Sequence, residues 1–192
     1  MNSLHLDLQY ALVSFVMLCF SVVSTAQVVT TTPAFPTNSS SMTITFDASQ
    51  GNQGLKGFTG SVYAHTGLIT DKSVSNSDWK YVQGTWGTAN APELTSLGND
   101  LYELNISDVV VFYGVPSTDT IKKIAILFRS EDGSKSGRAA DGSDIYIDFY
   151  TAGLFTGVES PMLNSIYNAG ENVVIKGASS QTANLAINLN SN

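Results

Sequence analysis

The stretch Met42–Asp47 reads Met-Thr-Ile-Thr-Phe-Asp, and its alternation of apolar and polar residues decides the fold class. Successive side chains of a β-strand point to opposite faces, so this pattern predicts a strand with one buried face. The same period of two recurs at Leu101–Ile106 and at 144–150. Residues 121–128 form a nearly continuous apolar run instead, which is typical of a strand covered on both sides.

Shorter strand patterns occur at 61–66, where Gly67 follows, and at 79–83, where Gly84 follows. No stretch shows a sustained period of 3.6 residues with capping residues at both ends, so at most a short helix is expected within 107–113 or after Pro116. Short strands at regular spacing with Gly-rich turns are typical of sandwiches. The sequence therefore predicts an all-β protein, an antiparallel Ig-like β-sandwich followed by a partial second β unit.

The N-terminal 26 residues have the pattern of a secretion signal. An apolar run at 10–23 ends in Ser24-Thr25-Ala26, a small-residue cleavage site, and it is shorter than a bilayer span. We therefore expect a signal peptide at 1–26, a secreted extracellular protein and no membrane contact after cleavage. A retained membrane anchor is the alternative, because the segment before the run contains no Lys or Arg. Cys19, the single cysteine, lies within this segment.

Beyond about residue 158 the sequence changes character. Ser160-Pro161 interrupts the pattern, and strand patterns follow at 172–176 and 183–189, with a turn at 177–182 between them. Two strands do not bury a core by themselves. We therefore expect a sandwich domain at 27–158, and at 159–192 a linker with the incomplete start of a second Ig-like domain, the rest of which would lie downstream. Alternatively, this hairpin completes the first sandwich.

Composition and charge exclude several classes of function. Only 13% of the 192 residues are charged, against about a quarter in an ordinary globular protein, and 43% are hydrophobic, so disorder driven by charge is excluded. The formal net charge is −7, which would repel a nucleic acid. We expect no nucleic-acid partner.

The residue types that catalysis needs are scarce. His65 is the only histidine after the signal segment, no G-x-S-x-G motif occurs, and without cysteine there is no Cys–His pair. A glycosidase needs two carboxylates, but Asp132-Gly133 and Asp141-Gly142 are turn dipeptides, and Lys135 and Arg138 in the same loop oppose a Ca²⁺ site. We therefore predict a non-catalytic protein with no metal site and no cofactor.

The aromatic residues carry more information. Tyr63 and His65 are two apart in a predicted strand and so share a face, while Trp79 and Trp86 stand among polar residues and glycine. An exposed indole that stacks on a sugar ring buries about 100 Å² of apolar surface, which contributes roughly 2–3 kcal/mol. The alternative is a tryptophan packed between the two sheets. For Trp79 both interpretations stay open, whereas the surroundings of Trp86 favour a ligand or loop contact.

These residues also carry a resemblance to a family. The motifs Val62-Tyr-Ala-His-Thr-Gly67 and Asp78-Trp-Lys-Tyr81, followed by Trp86, resemble the starch-binding β-sandwich modules of carbohydrate-binding families 25 and 26. More closely, the chain resembles the N-terminal module of secreted bacterial α-amylase-type glycoside hydrolases, on motifs that include Ile44-Thr-Phe-Asp47 and Ile124-Ala-Ile-Leu-Phe-Arg129. The resemblance implies that His65, Trp79 and Trp86, with Tyr63, bind a neutral α-glucan such as starch, and that the protein is an accessory to polysaccharide degradation.

Besides an enzyme in its own right, for which the residues give little support, two alternatives to this function remain at the sequence level. The first is a structural Ig-like spacer of a secreted enzyme, with tryptophans that belong to the core and no ligand of its own. The second is a site for an anionic polysaccharide, which requires that five basic residues close in the sequence form a surface patch. These residues are Lys122, Lys123, Arg129, Lys135 and Arg138. The burial of the tryptophans and of these basic side chains discriminates between the possibilities.

Overall fold

A computed structural model describes residues 27–150, 155–160 and 172–180 of the chain. The predicted signal peptide at 1–26 and the predicted strand at 183–189 lie outside these described residues. The elements, in chain order, are β1 Val29–Thr32, β2 Met42–Asp47, β3 Val62–Thr70, β4 Lys80–Gln83, β5 Thr95–Gly98, β6 Leu101–Ile106, α1 Val109–Tyr113, β7 Ile121–Ser130, β8 Ser136–Gly137, β9 Ile145–Asp148, β10 Thr156–Ser160 and β11 Lys176–Ser179.

Nine of these strands form two antiparallel sheets. The first sheet has the order β1-β2-β6-β5, and the second has the order β4-β3-β7-β8, with β9 also paired to β7. In the second sheet β3 and β7 are the central pair. They run antiparallel, with Val62 of β3 opposite Ser130 of β7. The prediction of an all-β antiparallel sandwich is confirmed.

The core between the sheets is built from the alternating residues that the sequence indicated. Ile44 and Phe46 of β2 are completely buried, as are Ile126 and Phe128 of β7. The rings of Phe46 and Phe128 stack across the two sheets with centroids 3.9 Å apart and planes at 13°. A Cβ at Gly137 would come within 2.4 Å of the Phe46 ring, so only glycine fits beside this stacked pair.

Strand β3 is longer than the sequence predicted. It continues through Gly67 to Thr70, whereas the prediction ended it at residue 66. Gly67 does not end the strand but allows the neighbouring chain to approach, because a Cβ there would lie 3.0 Å from the carbonyl oxygen of Lys80 and 3.1 Å from a methyl group of Val82. The glycine therefore has a packing role within the strand.

The short helix expected within 107–113 is present as α1. The Asp108 side chain caps its N-terminus by accepting a hydrogen bond of 2.9 Å from the Val111 N–H, and Gly114 ends it in the left-handed conformation. Tyr113 at its end is buried and shares a hydrogen bond of 2.7 Å with the Thr66 hydroxyl. Burial raises the pKa of the Tyr113 phenol. Across the described ranges, no helix is long and apolar enough to cross a membrane.

Strands β10 and β11 pair with each other as a separate two-stranded sheet. The strand predicted at 172–176 is wrong at 172–175, which are irregular. The strand observed is Lys176–Ser179, so it begins at the last residue of the predicted strand and continues into the predicted turn at 177–182. The Val-Val-Ile run at 173–175 has high β-propensity, but this local preference does not produce a strand there. The division of the chain near residue 158 stays a prediction.

Candidate functional site

The outer face of the second sheet carries two of the predicted site residues. Val62 and Ala64 of β3 pack into the core between the sheets, so Tyr63 and His65 point to the opposite face. Tyr63 keeps only 6% of its surface exposed, while His65 is half-buried. The predicted common face of these two residues is confirmed, but Tyr63 has little surface left for a ligand.

A β-bulge brings Trp79 to this outer face. Thr66 of β3 pairs with Gln83, and Leu68 pairs with Lys80, so two steps along β3 correspond to three along β4. The extra residue is accommodated with Tyr81 at a φ of 54°, which is rare for an aromatic residue. The bulge reverses which face the side chains of this segment point to.

The consequence of the bulge is that Trp79 and Tyr81 are separated. Two residues apart in a regular strand, they would share a face. Instead Tyr81 packs against the core and its hydroxyl donates a hydrogen bond of 2.7 Å to Asp119. The Cβ of Trp79 lies on the outer face, 3.3 Å from where a Cβ at Gly67 would stand. The sequence contained both tryptophans but no signal for this reversal.

Three of the predicted site residues form one aromatic cluster. The centroid of the His65 ring lies 5.6 Å from the ring centroid of Trp79, with the planes at 30°, and 5.2 Å from that of Trp86, with the planes at 88°. The two indoles are therefore steeply inclined to each other. Trp86 is 44% exposed, whereas Trp79 is half-buried and its Nε1 donates a hydrogen bond of 3.0 Å to the Asn76 carbonyl.

The indole of Trp86 packs against Gly133. A Cβ at Gly133 would lie 2.6 Å from the indole Nε1, so the ring edge lies directly on the backbone of the turn after β7. The loop that carries Trp86 is closed by a hydrogen bond of 2.8 Å from the Thr85 N–H to the Asn90 carbonyl. Gly84 begins this loop at a φ of 74°, in a position where a Cβ would overlap the Asn90 carbonyl oxygen.

Sequence reasoning missed the role of Arg129 in this site. The side chain is completely buried, and its guanidinium donates hydrogen bonds to four backbone carbonyls. Nη1 donates to Ser130 at 2.9 Å and to Glu131 at 2.7 Å, and Nη2 donates to Thr85 at 3.0 Å and to Thr88 at 2.7 Å. Arg129 thus ties the loop that carries Trp86 to the end of β7.

The same guanidinium also lies against two of the aromatic rings. Its Cζ is 5.5 Å from the centroid of Tyr63 and 5.7 Å from that of Trp86, within the range of cation–π attraction. Burial lowers the pKa of Arg129, and its Nε has no hydrogen-bonding partner among the described residues. The signal in the sequence was a charged residue directly after the apolar run of β7.

The basic surface patch considered from the sequence does not form. Arg129 is interior, Lys123 lies 3.3 Å from the carboxylate of Asp148, and Arg138 is paired with Asp144. With one of the five cations buried and two paired, an anionic polysaccharide loses the attraction that the alternative required.

The acidic residues of the two Asp-Gly dipeptides, Asp132 and Asp141, are engaged in turns. Asp132 accepts hydrogen bonds from the hydroxyls of Ser130 and Ser134 and from the Ser134 N–H, which lower its pKa to about 2. Asp141 accepts from the Ser143 N–H at 2.9 Å, so the predicted turn roles of both Asp-Gly dipeptides are confirmed. Among the described residues, no three His, Cys, Asp or Glu side chains stand close enough to hold a metal ion.

His65 is the titratable group within the aromatic cluster. Burial lowers its pKa below the usual value, the charge of Arg129 lowers it further with a smaller contribution from Arg138, and Asp144 opposes them. Its Nδ1 is buried and has no hydrogen-bonding partner among the described residues. The neutral imidazole is therefore the form that fits this position at neutral pH.

We expect acid to destabilise the protein through His65. An unfolded histidine takes up a proton near pH 6.5, while the folded one does so at lower pH. The contribution of His65 to stability is thus complete above about pH 6.5 and is lost as the pH falls through the folded-state pKa. Urea unfolding between about pH 7 and pH 5 should show this loss, and His65→Gln should reduce it. An unchanged pH dependence in His65→Gln would contradict the assignment.

The comparisons with known proteins add no family to this description. No protein-family model matches the chain, and no curated protein matches it significantly. The fold and the site therefore define a class only, an all-β sandwich with an inclined pair of indoles around a histidine on the outer face of one sheet.

Proposed function

We propose that this protein binds a neutral α-glucan on the cluster formed by His65, Trp79 and Trp86. The observation that carries the proposal is that three aromatic rings from β3 and from two separate loops converge on one outer sheet face, where Trp86 keeps 44% of its surface exposed. An open indole stacks on the C–H face of a sugar ring and removes apolar surface of both partners from water. Tyr63, which is buried under Arg129, positions this surface and does not contact the ligand.

The inclination of the rings favours a curved chain over a flat one. With His65 at 30° to one indole and 88° to the other, the two tryptophans cannot lie in one plane. A flat β-1,4-linked glucan ribbon needs coplanar rings to stack on several sugars at once. An α-1,4-linked glucan coils, so its successive sugars present faces at different angles, as the rings of this cluster do.

The electrostatics of the site support a neutral ligand. The guanidinium of Arg129 is saturated by backbone carbonyls, and Arg138 is paired with Asp144, so neither offers a free charge to the cluster. A secreted accessory module of a glycoside hydrolase, without catalytic activity of its own, is the role that agrees with this site and with the resemblance drawn from the sequence.

The test of the proposal is Trp86→Ala. We expect it to weaken binding to soluble starch about thirtyfold, or roughly 2 kcal/mol, because the variant loses the stacking surface but no core contact. Affinity electrophoresis in gels with soluble starch, dextran or a soluble cellulose derivative measures the retardation, and circular dichroism checks the fold. Starch retardation equal to that of the unchanged protein, with an intact fold, would overturn the platform.

Trp79→Ala decides between the platform and the structural spacer. The half-buried position of Trp79 and its hydrogen bond to Asn76 favour a structural contribution, so we expect the variant to lose both starch binding and some thermal stability. Thermal unfolding and the same starch gels measure the two effects together. If starch does not retard even the unchanged protein, the glucan site is wrong and the structural spacer is the correct interpretation.

A further inference from the structure

A concave feature lies beside the loop that carries Trp86. It is a cavity of about 450 Å³ between the ring of Phe58, Ser61 and the turn that follows β7, and Gly87 forms part of its wall. Cavities of this size are within the range of small-molecule sites. The turn that contributes Glu131 and Asp132 to the cavity also contributes Gly133, on which the Trp86 indole rests, so the aromatic cluster and the cavity adjoin.

The polar groups that line the cavity include two that are unused. Asp132 already accepts three hydrogen bonds at one oxygen within its own turn. In contrast, the carboxylate of Glu131 and the ammonium of Lys135 make no hydrogen bond or ion pair with any residue in the described ranges, and both line the cavity. A free acceptor and a free donor beside an aromatic ring are the groups that a sugar unit needs, since its hydroxyls both donate and accept while its C–H face stacks.

We propose that this cavity is a further subsite, which takes the next sugar unit of the glucan chain that stacks on Trp86. The inference rests on the proposed function, because it assigns a second contact to the same ligand. Glu131 accepts hydrogen bonds from the hydroxyls of this unit, Lys135 donates to them, and Phe58 provides the apolar wall. The opposite charges of Glu131 and Lys135 suit a neutral sugar, and the subsite should therefore make binding depend on the length of the oligosaccharide.

The experiment compares ligands of increasing length on the full chain. Calorimetric titration with the α-1,4-linked glucose oligomers from maltose to maltoheptaose measures the affinity of the unchanged protein and of the double variant Glu131→Ala/Lys135→Ala. The matched control is Glu103→Ala/Lys122→Ala, which also removes one carboxylate and one ammonium. Glu103 lies in β6 of the other sheet, and Lys122 lies at the start of β7, whereas the cavity is at the end of β7. Both double variants leave the net charge unchanged, so a difference between them reports on position.

We expect the double variant at the cavity to bind maltoheptaose roughly tenfold more weakly than the unchanged protein, because two hydrogen bonds to charged groups are lost. Its affinity for the shortest oligomer that binds should stay within about twofold, and the control should match the unchanged protein at every length. An equal loss at all lengths, or no loss at maltoheptaose, overturns the subsite while the aromatic site stands. If the unchanged protein binds none of the oligomers, the proposed function fails and the subsite fails with it.

Discussion

We expect Arg129→Met to lower the free energy of unfolding by about 3–5 kcal/mol. The guanidinium satisfies four carbonyls at distances from 2.7 to 3.0 Å in a position with no solvent exposure. Methionine fills much of the same space but donates no hydrogen bond. The Thr88 carbonyl therefore loses the donor that Arg129 supplied, and the Thr85 carbonyl keeps only the hydrogen bond from the Thr88 hydroxyl. Urea unfolding followed by circular dichroism measures the loss.

Two further variants make the Arg129 result interpretable. Arg129→Lys keeps the charge but lacks the planar fork that reaches two loops at once, so we expect an intermediate loss. Arg138→Met removes an arginine from a partly exposed ion pair with Asp144 and should cost less than about 1 kcal/mol. If Arg129→Met were no more destabilising than Arg138→Met, the anchoring role of Arg129 would be wrong.

The anchoring role also predicts an effect on binding. Thr85 and Thr88 flank Trp86, so loosening their carbonyls frees the loop that carries the exposed indole. We therefore expect Arg129→Lys, measured at a temperature where it remains folded, to bind starch more weakly than the unchanged protein. Arg129 acts here as a positioning residue, because its guanidinium is buried and has no surface with which to contact a glycan.

The second large effect is expected from Phe46→Ala, which should lower the free energy of unfolding by about 3–5 kcal/mol. Phe46 is completely buried, and it joins the two sheets by stacking on Phe128 at 3.9 Å. Within its own sheet, its ring centroid lies 6.1 Å from that of Tyr102. Alanine leaves a cavity between sheets whose backbones are held apart by the remaining side chains. Denaturant unfolding measures the loss.

Thr45→Ala is the matched control for Phe46→Ala. Thr45 is the preceding residue of the same strand, points to the opposite face and is only half-buried, so its removal should change stability by less than about 0.5 kcal/mol. If Phe46→Ala lost less than about 1 kcal/mol, the stacked pair would not be a principal contact between the sheets.

Much of the fold could be predicted from local pattern. The alternation in β2 and β6 set which residues face the core, and the apolar run of β7 indicated burial on both faces, because a strand's period of two links sequence directly to side-chain direction. The pattern failed at 172–175, where propensity favoured a strand but the strand begins only at Lys176, in the segment that pairs with β10. Whether a segment forms a strand depends also on the segment that pairs with it, so local sequence alone does not predict it.

The sequence by itself determined the sandwich, the turn roles of Asp132 and Asp141, and the common face of Tyr63 and His65. Only the tertiary structure decided that Trp79 joins His65, since this depends on the bulge at Tyr81, and that Arg129 is an interior anchor. The physical reason is the distance along the chain between the residues that determine each feature. Side-chain direction within a strand follows from neighbouring dihedral angles, whereas a bulge or a buried guanidinium is stabilised by partners about 40 residues away, such as Asp119 for Tyr81 and Thr85 for Arg129.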